Sequence, residues 1–123
     1  MAEVRSETSL FITFIDLARF FAQSQHVDDA EIADTLDAYY ERIAAAVDEA
    51  GGTLVKFIGD AALVVFPEDA TDRGVQMLLD LKRSIDVFRA DRGWECRFTA
   101  KAHVGLVIAG PFGAAGLVHG SVK

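Results

Sequence analysis

Residues 53–58 (TLVKFI) and 61–66 (AALVVF) are two short apolar runs with only Gly59-Asp60 between them. A two-residue connection led by glycine marks a tight β-hairpin, because turns with positive φ match the right-handed twist of the strands they join. That hairpin fixes an antiparallel pair in the middle of the chain, and the flanking segments must pack against it. Before it, Ile32, Leu36, Tyr40, Ile43 and Val47 recur at helical spacing. Asp28 and Glu31 resemble a capping box at the start of this helix, and Gly51-Gly52 supplies the stop. After the hairpin, Pro67 closes the strand. Val75, Leu78, Leu79, the Lys82 stem, Ile85 and Phe88 then line a second long helix that ends before Gly93.

The two ends of the chain complete the pattern. Residues 10–15 are a compact apolar run with β-branched members, read as a buried strand that ends at Asp16. Leu17, Ala18, Arg19, Phe20 and Phe21 are expected to begin a short helix. Cys96, Phe98, Ala100, Ala102 and Val104 alternate with more polar neighbours, which is strand periodicity. The order is strand, helix, strand, strand, helix, strand. It predicts an α+β domain with a ferredoxin-like βαββαβ core, an antiparallel sheet with its helices on one face. In that topology the first strand lies beside the third. Asp16 and Asp60 then stand at adjacent strand ends.

Composition removes several classes of function. The 123 residues suffice for one domain with a single core. The apolar runs are far shorter than the ~20 residues of a membrane span, and no basic segment followed by an apolar stretch opens the chain as a secretory signal would. Acids outnumber bases 19 to 12, with no basic cluster, so a nucleic-acid partner is not expected. The single cysteine, Cys96, excludes an internal disulfide or cysteine–zinc cluster and fits a reducing cytoplasm. His26, His103 and His119 form no metal-binding pattern and are read as surface or strand residues. Trp94 is read as a lid on the core. Arg19, Arg42, Arg73, Arg83 and Arg89 are read as solvated helix surface.

The aspartates carry the chemical argument. Alone, Asp16 could be a helix cap and Asp60 a turn residue. Together, two neighbouring carboxylates repel unless a cation lies between them. A small carboxylate set that leaves room for phosphate oxygens suits Mg²⁺. The expected helix start at Leu17 to Phe21 would point free amides at the same place, where phosphates are held. Cation and amides together suggest a nucleoside triphosphate.

Three segments resemble the class III adenylyl/guanylyl cyclase family. FITFIDLARFF (residues 11–21) is similar to its first-strand motif. GGTLVKFIGDAALVVF (residues 51–66) is similar to its hairpin motif and is the more specific match. HVGLVIAGPFG (residues 103–113) is similar to a later glycine-containing strand pair. The resemblance implies that Asp16, Asp60 and the Leu17 carbonyl hold two divalent ions, Mg²⁺ or Mn²⁺. It further implies that ATP is converted to 3′,5′-cyclic AMP and pyrophosphate at sites formed between the two protomers of a head-to-tail homodimer. Lys56 stands at the purine-reading position. A lysine can donate to N1 of adenine but cannot accept from the N1–H of guanine, which favours ATP.

The match has gaps. The family places an Asn and an Arg on a helix after its last motif, in a V-N-x-x-x-R pattern, and residues 118–123 pair with it only loosely. On that pairing the second purine-reading position falls near Leu117, which has no hydrogen-bonding side chain, and Phe21 stands where many members have Thr. The expectation is a single cyclase homology domain over residues 1–123 without the C-terminal part of the family domain. The alternative reading is a catalytically degenerate domain that senses nucleotide or mediates dimerisation.

Overall fold

A computed structural model describes residues 6–20, 25, 27–109 and 118–119. The elements run β1 (Ser6–Ala18), α1 (Asp29–Ala50), β2 (Thr53–Ile58), β3 (Ala61–Pro67), a 3₁₀ turn (Glu68–Ala70), α2 (Thr71–Asp91), β4 (Arg97–Ala109) and β5 (Val118–His119). The strands form one antiparallel sheet in the order β2-β3-β1-β4-β5. β1 lies beside β3, as the split βαβ order requires, and the helices cover one face.

Alternation along β1 shows which face is which. Phe11, Thr13, Ile15 and Leu17 are buried, whereas Phe14 and Asp16 are exposed. The buried set joins Val64 and Phe66 of β3, Tyr39, Ile43 and Val47 of α1, and Met77, Leu81, Ile85 and Phe88 of α2 in one core. Thr13 is tolerated there because its hydroxyl donates to the Lys101 carbonyl at 2.9 Å.

The caps of α1 match expectation. Asp28 accepts from the Ala30 and Glu31 amides, and Gly51 closes the helix in the left-handed region at φ 80°. Its buried stripe is Thr35, Tyr39, Ile43 and Val47, so Tyr39 rather than Tyr40 faces inward. The phase of α2 also differs from the expected one. Gly74, Met77, Leu81, Ile85 and Phe88 face inward, while Val75 and Leu79 are exposed. Gly74 sits so close to Phe11 that a Cβ there would lie 2.6 Å from a ring carbon. The bare backbone therefore belongs to the core although it carries no hydrophobic signal.

Packing bears out the expected lid and corrects the reading of the arginines. Trp94 is buried as a lid and stacks at 5.7 Å on Phe20. Arg42 lies over the Phe88 ring and donates to Ser84, and Arg89 donates to the Trp94 carbonyl. Both are bracing side chains rather than purely solvated ones. Arg19 is not helical at all, as the next section describes.

Candidate active site at the β1–β3 rim

The site is built from where β1 outruns β3. Their last paired residues are Ile15 and Ala62, and extending that register sets Asp60 opposite Leu17. The Gly59-Asp60 turn makes this possible. Gly59 has φ 58°, Asp60 does not have positive φ, and Ile58 pairs with Ala61 directly across the turn. Asp60 is thus held at the corner of the hairpin with its side chain directed at β1. Its Oδ2 accepts the Leu17 amide at 2.9 Å, completing by carboxylate a ladder position that no strand residue fills.

Asp16 is the neighbouring residue on β1. Because Ile15 and Leu17 point into the core, Asp16 points to the open face, where it pairs with Thr99 and accepts a hydrogen bond from the Thr99 hydroxyl. The two acids therefore stand on one rim of the sheet. The charge environment of Tyr39 agrees with this. Burial first, then the nearby charges of Asp60 and Asp16, push its phenol far above the ordinary range. Burial, Asp60 and Asp37 raise that of Tyr40.

The expected amide cradle is changed. β1 continues through Leu17 and Ala18, which pair with Phe98 and Arg97, so neither begins a helix. The Leu17 amide is already committed to Asp60. The chain turns at Arg19, a non-glycine residue at φ 67°, and Phe20 has helical backbone. Of the described part of the expected cradle, only the Arg19 and Phe20 amides are left for an anion. Phe21, Leu117 and His26 lie outside the described residues.

Lys56 is exposed on β2, next to a β-bulge between Leu54 and Lys56 that the sequence did not signal. It pairs with Leu63, which pairs in turn with Phe14, so Lys56 shares the open face with Asp16. It lies two strands away, about 10 Å in the sheet direction. Among the described residues it makes no ion pair with either acid. The structure brings Asp16, Leu17 and Asp60 together and leaves Lys56 apart. Between Lys56 and the acids the open face is apolar: Phe14 and Ile58 are 52% and 58% exposed.

Among the described residues the rim is marked by strand ends, with Asp16 exposed and Asp60 half-buried. A cleft of about 420 Å³ lies elsewhere, lined by Ala46, Glu49, Arg73, Met77 and Asp80 beside Gly51, at the other end of the hairpin strands. Among the described residues no three His, Cys, Asp or Glu side chains cluster to hold a metal. The available donors are instead two carboxylates and a backbone carbonyl. In a strand, a residue's N–H and C=O point to the same edge, so the Leu17 carbonyl faces the Asp60 side beyond the last β3 pair.

The chain matches the model of the adenylate and guanylate cyclase catalytic domain over residues 3–117. It belongs to that family. The cyclase domain is 27% identical to an adenylate cyclase of Anabaena cylindrica over 103 residues, covering 84% of this chain and 20% of that protein. It is 35% identical over 82 residues to the uncharacterized protein Rv2212 of Mycobacterium tuberculosis, covering 63% and 21%. The chain thus spans about a fifth of these curated relatives. Among solved structures, the catalytic core of a rhodopsin-guanylyl cyclase with converted specificity, in complex with ATPalphaS, superposes with a TM-score of 0.85 at 27% identity, covering 97% of this chain and 69% of that one. The adenylyl cyclase CyaB from P. aeruginosa superposes with a TM-score of 0.85 at 20% identity, covering 98% and 67%. The fold of the cyclase domain is therefore the cyclase fold. No helix among its described residues is long and apolar enough to cross a membrane.

Proposed function

We propose that this domain converts ATP to 3′,5′-cyclic AMP and pyrophosphate at a site completed by a second copy of the chain. The observation that carries the reading is the bond from the Leu17 amide to Asp60, which fixes one carboxylate beside another on an exposed rim. This donor set fits a hard divalent cation. It is all oxygen, doubly anionic, and the second Asp60 oxygen has no hydrogen-bond donor among the described residues. Asp16, Asp60 and the Leu17 carbonyl would hold Mg²⁺ or Mn²⁺. When bound, such ions make a ribose hydroxyl more acidic and neutralise a triphosphate.

The chain's own residues then have separate tasks. Asp16 and Asp60 place negative charge where the triphosphate must enter, so they repel bare nucleotide and select its metal complex. The Arg19 and Phe20 amides are the ones left to meet the phosphates. In the reaction the ribose 3′-oxygen bonds to the α-phosphorus, the bond from that phosphorus to the bridging oxygen breaks, and pyrophosphate leaves as the hydroxyl proton passes to solvent. Lys56 donates to N1 of adenine. Its distance from the acids of its own chain supports a two-fold arrangement in which Lys56 of one protomer faces the acids of the other. The exposed Phe14 and Ile58 between them are apolar surface such a partner would cover.

The test is incubation of purified protein with ATP and Mn²⁺ and detection of cyclic AMP by mass spectrometry. Product is expected, and Asp16→Ala and Asp60→Ala should each abolish it. Full activity in both variants would refute the assignment. Calorimetric binding of ATP that needs Mn²⁺ but yields no product would leave a nucleotide-binding module instead.

A further inference from the structure

We infer that Tyr39 and Tyr40 of α1 are positioning residues for the Asp60 carboxylate, gripping the Gly59-Asp60 turn by both of its carbonyls. The inference rests on the reading of Asp60 as a metal ligand and adds the element that aims it. Tyr39 is fully buried and its hydroxyl donates to the Asp60 carbonyl at 2.8 Å. The Tyr40 hydroxyl donates to the Gly59 carbonyl, and its ring packs on Phe57 with centroids 4.1 Å apart.

Consecutive helix residues diverge by about 100°, so two neighbours seldom serve one target. Here they do. Tyr39 belongs to the inward stripe with Thr35, Ile43 and Val47, whereas Tyr40 lies on the flank of the helix. Phenylalanine at either position would fill the same space, so packing alone does not call for the hydroxyls. Their effect is on the turn. With both carbonyls held by α1, the backbone of the turn is fixed from the helix side, and the Asp60 carboxylate is fixed from the strand side by the Leu17 amide. A cation ligand is thus braced at its main chain and at one of its own oxygens, while among the described residues no donor occupies the other. Groups that orient a ligand in this way tune metal affinity without touching the metal.

The experiment titrates the purified chain with Mn²⁺ alone, reading free Mn²⁺ by electron paramagnetic resonance at a temperature below the melting transition of every variant. Tyr39→Phe/Tyr40→Phe together are expected to weaken Mn²⁺ binding about tenfold or more, and Tyr40→Phe alone, on the half-buried flank, roughly threefold. Val47→Ala, which removes core volume from the same helix, is expected to lower the melting temperature and leave the Mn²⁺ dissociation constant unchanged. Asp16→Asn should abolish binding. If Asp16→Asn loses Mn²⁺ while the double and Tyr40 variants bind it as the parent does, the clamp has no positioning role. If Asp16→Asn binds normally, the metal site itself is misassigned and the inference falls with it.

Discussion

The Asp60 side chain has two separable tasks, and Asp60→Ala and Asp60→Asn should divide them. As a structural group it accepts the Leu17 amide at 2.9 Å in a partly buried setting. A hydrogen bond to a charged acceptor contributes about 1.5–3 kcal/mol, and a neutral one about 1 kcal/mol. Asparagine keeps an oxygen for Leu17, whereas alanine leaves the amide without a protein acceptor. Against this, either substitution removes the repulsion between Asp60 and Asp16, which for two solvent-facing charges is below about 1 kcal/mol. Without metal, Asp60→Asn should therefore be close to neutral and Asp60→Ala should lose about 1–2 kcal/mol. At roughly 3–5 °C per kcal/mol for a domain of this size, that is a fall of about 3–10 °C for alanine.

Added Mn²⁺ changes the comparison. A ligand at a hundred times its dissociation constant stabilises the folded state by about 2.7 kcal/mol, or about 8–13 °C on the same scale. The parent should show this rise in a differential scanning fluorimetry series with Mn²⁺, and neither variant should. Equal metal-free melting of the alanine and asparagine variants would refute the structural role of the Leu17 bond. A Mn²⁺ shift in Asp60→Asn as large as the parent's would refute the metal role.

Four further outcomes follow from the same structure. Gly74→Ala should destabilise by up to about 2 kcal/mol in urea unfolding, because a Cβ 2.6 Å from buried Phe11 costs about 1–3 kcal/mol while the helix gains about 1. Lys56→Glu should lower kcat/KM for ATP about tenfold or more and raise use of GTP, read by mass spectrometry on mixed nucleotides. Ile58→Asp, at the most exposed apolar position of the open sheet face, should weaken self-association in light scattering without changing the circular dichroism spectrum. Asp86 is partly buried, which opposes its ionisation, but bonds and charge from Lys82 and Arg89 outweigh this and hold its carboxyl below the ordinary 3.8. A depressed carboxyl contributes stability above its unfolded pKa and loses it as pH falls through the folded value, so stability should drop below about pH 4. Asp86→Asn should flatten that part of the profile.

The hairpin and both long helices are legible from turn residues and apolar periodicity, and the sheet order and the placing of Asp16 and Asp60 at adjacent strand ends follow from the split βαβ order of those elements. The segment 17–19 is not legible. Leu-Ala-Arg-Phe-Phe has good helix formers, yet Leu17 and Ala18 find strand partners in Phe98 and Arg97, and pairing across the sheet outweighs propensity. Nothing in Arg19 advertises a turn at positive φ. The phase of α2 was misread for a related reason. Val75 and Leu79 look like core residues, but close approach of helix and sheet occurs at Gly74, which hydropathy cannot rank. The helical spacing puts Tyr40 inward where Tyr39 is the buried residue, and the hydroxyl bonds of both to the turn have no counterpart in periodicity.

The orientation of the acids follows from the core more than from the acids. Strand side chains alternate, so a slip of one residue in β1 would turn Leu17 and Ile15 to solvent and Asp16 inward. The burial of Phe11, Ile15 and Leu17 forbids that slip and thereby fixes Asp16 outward. Asp60 is set by the same register from the other strand, since Ile15 opposite Ala62 puts the turn two residues further on, level with Leu17. Two acids forty-four positions apart thus acquire a shared rim through apolar contacts neither of them makes. The same register explains why the acids stand at strand ends: β3 stops where β1 continues, and the extra length of β1 has the Asp60 side chain as its neighbour on that edge.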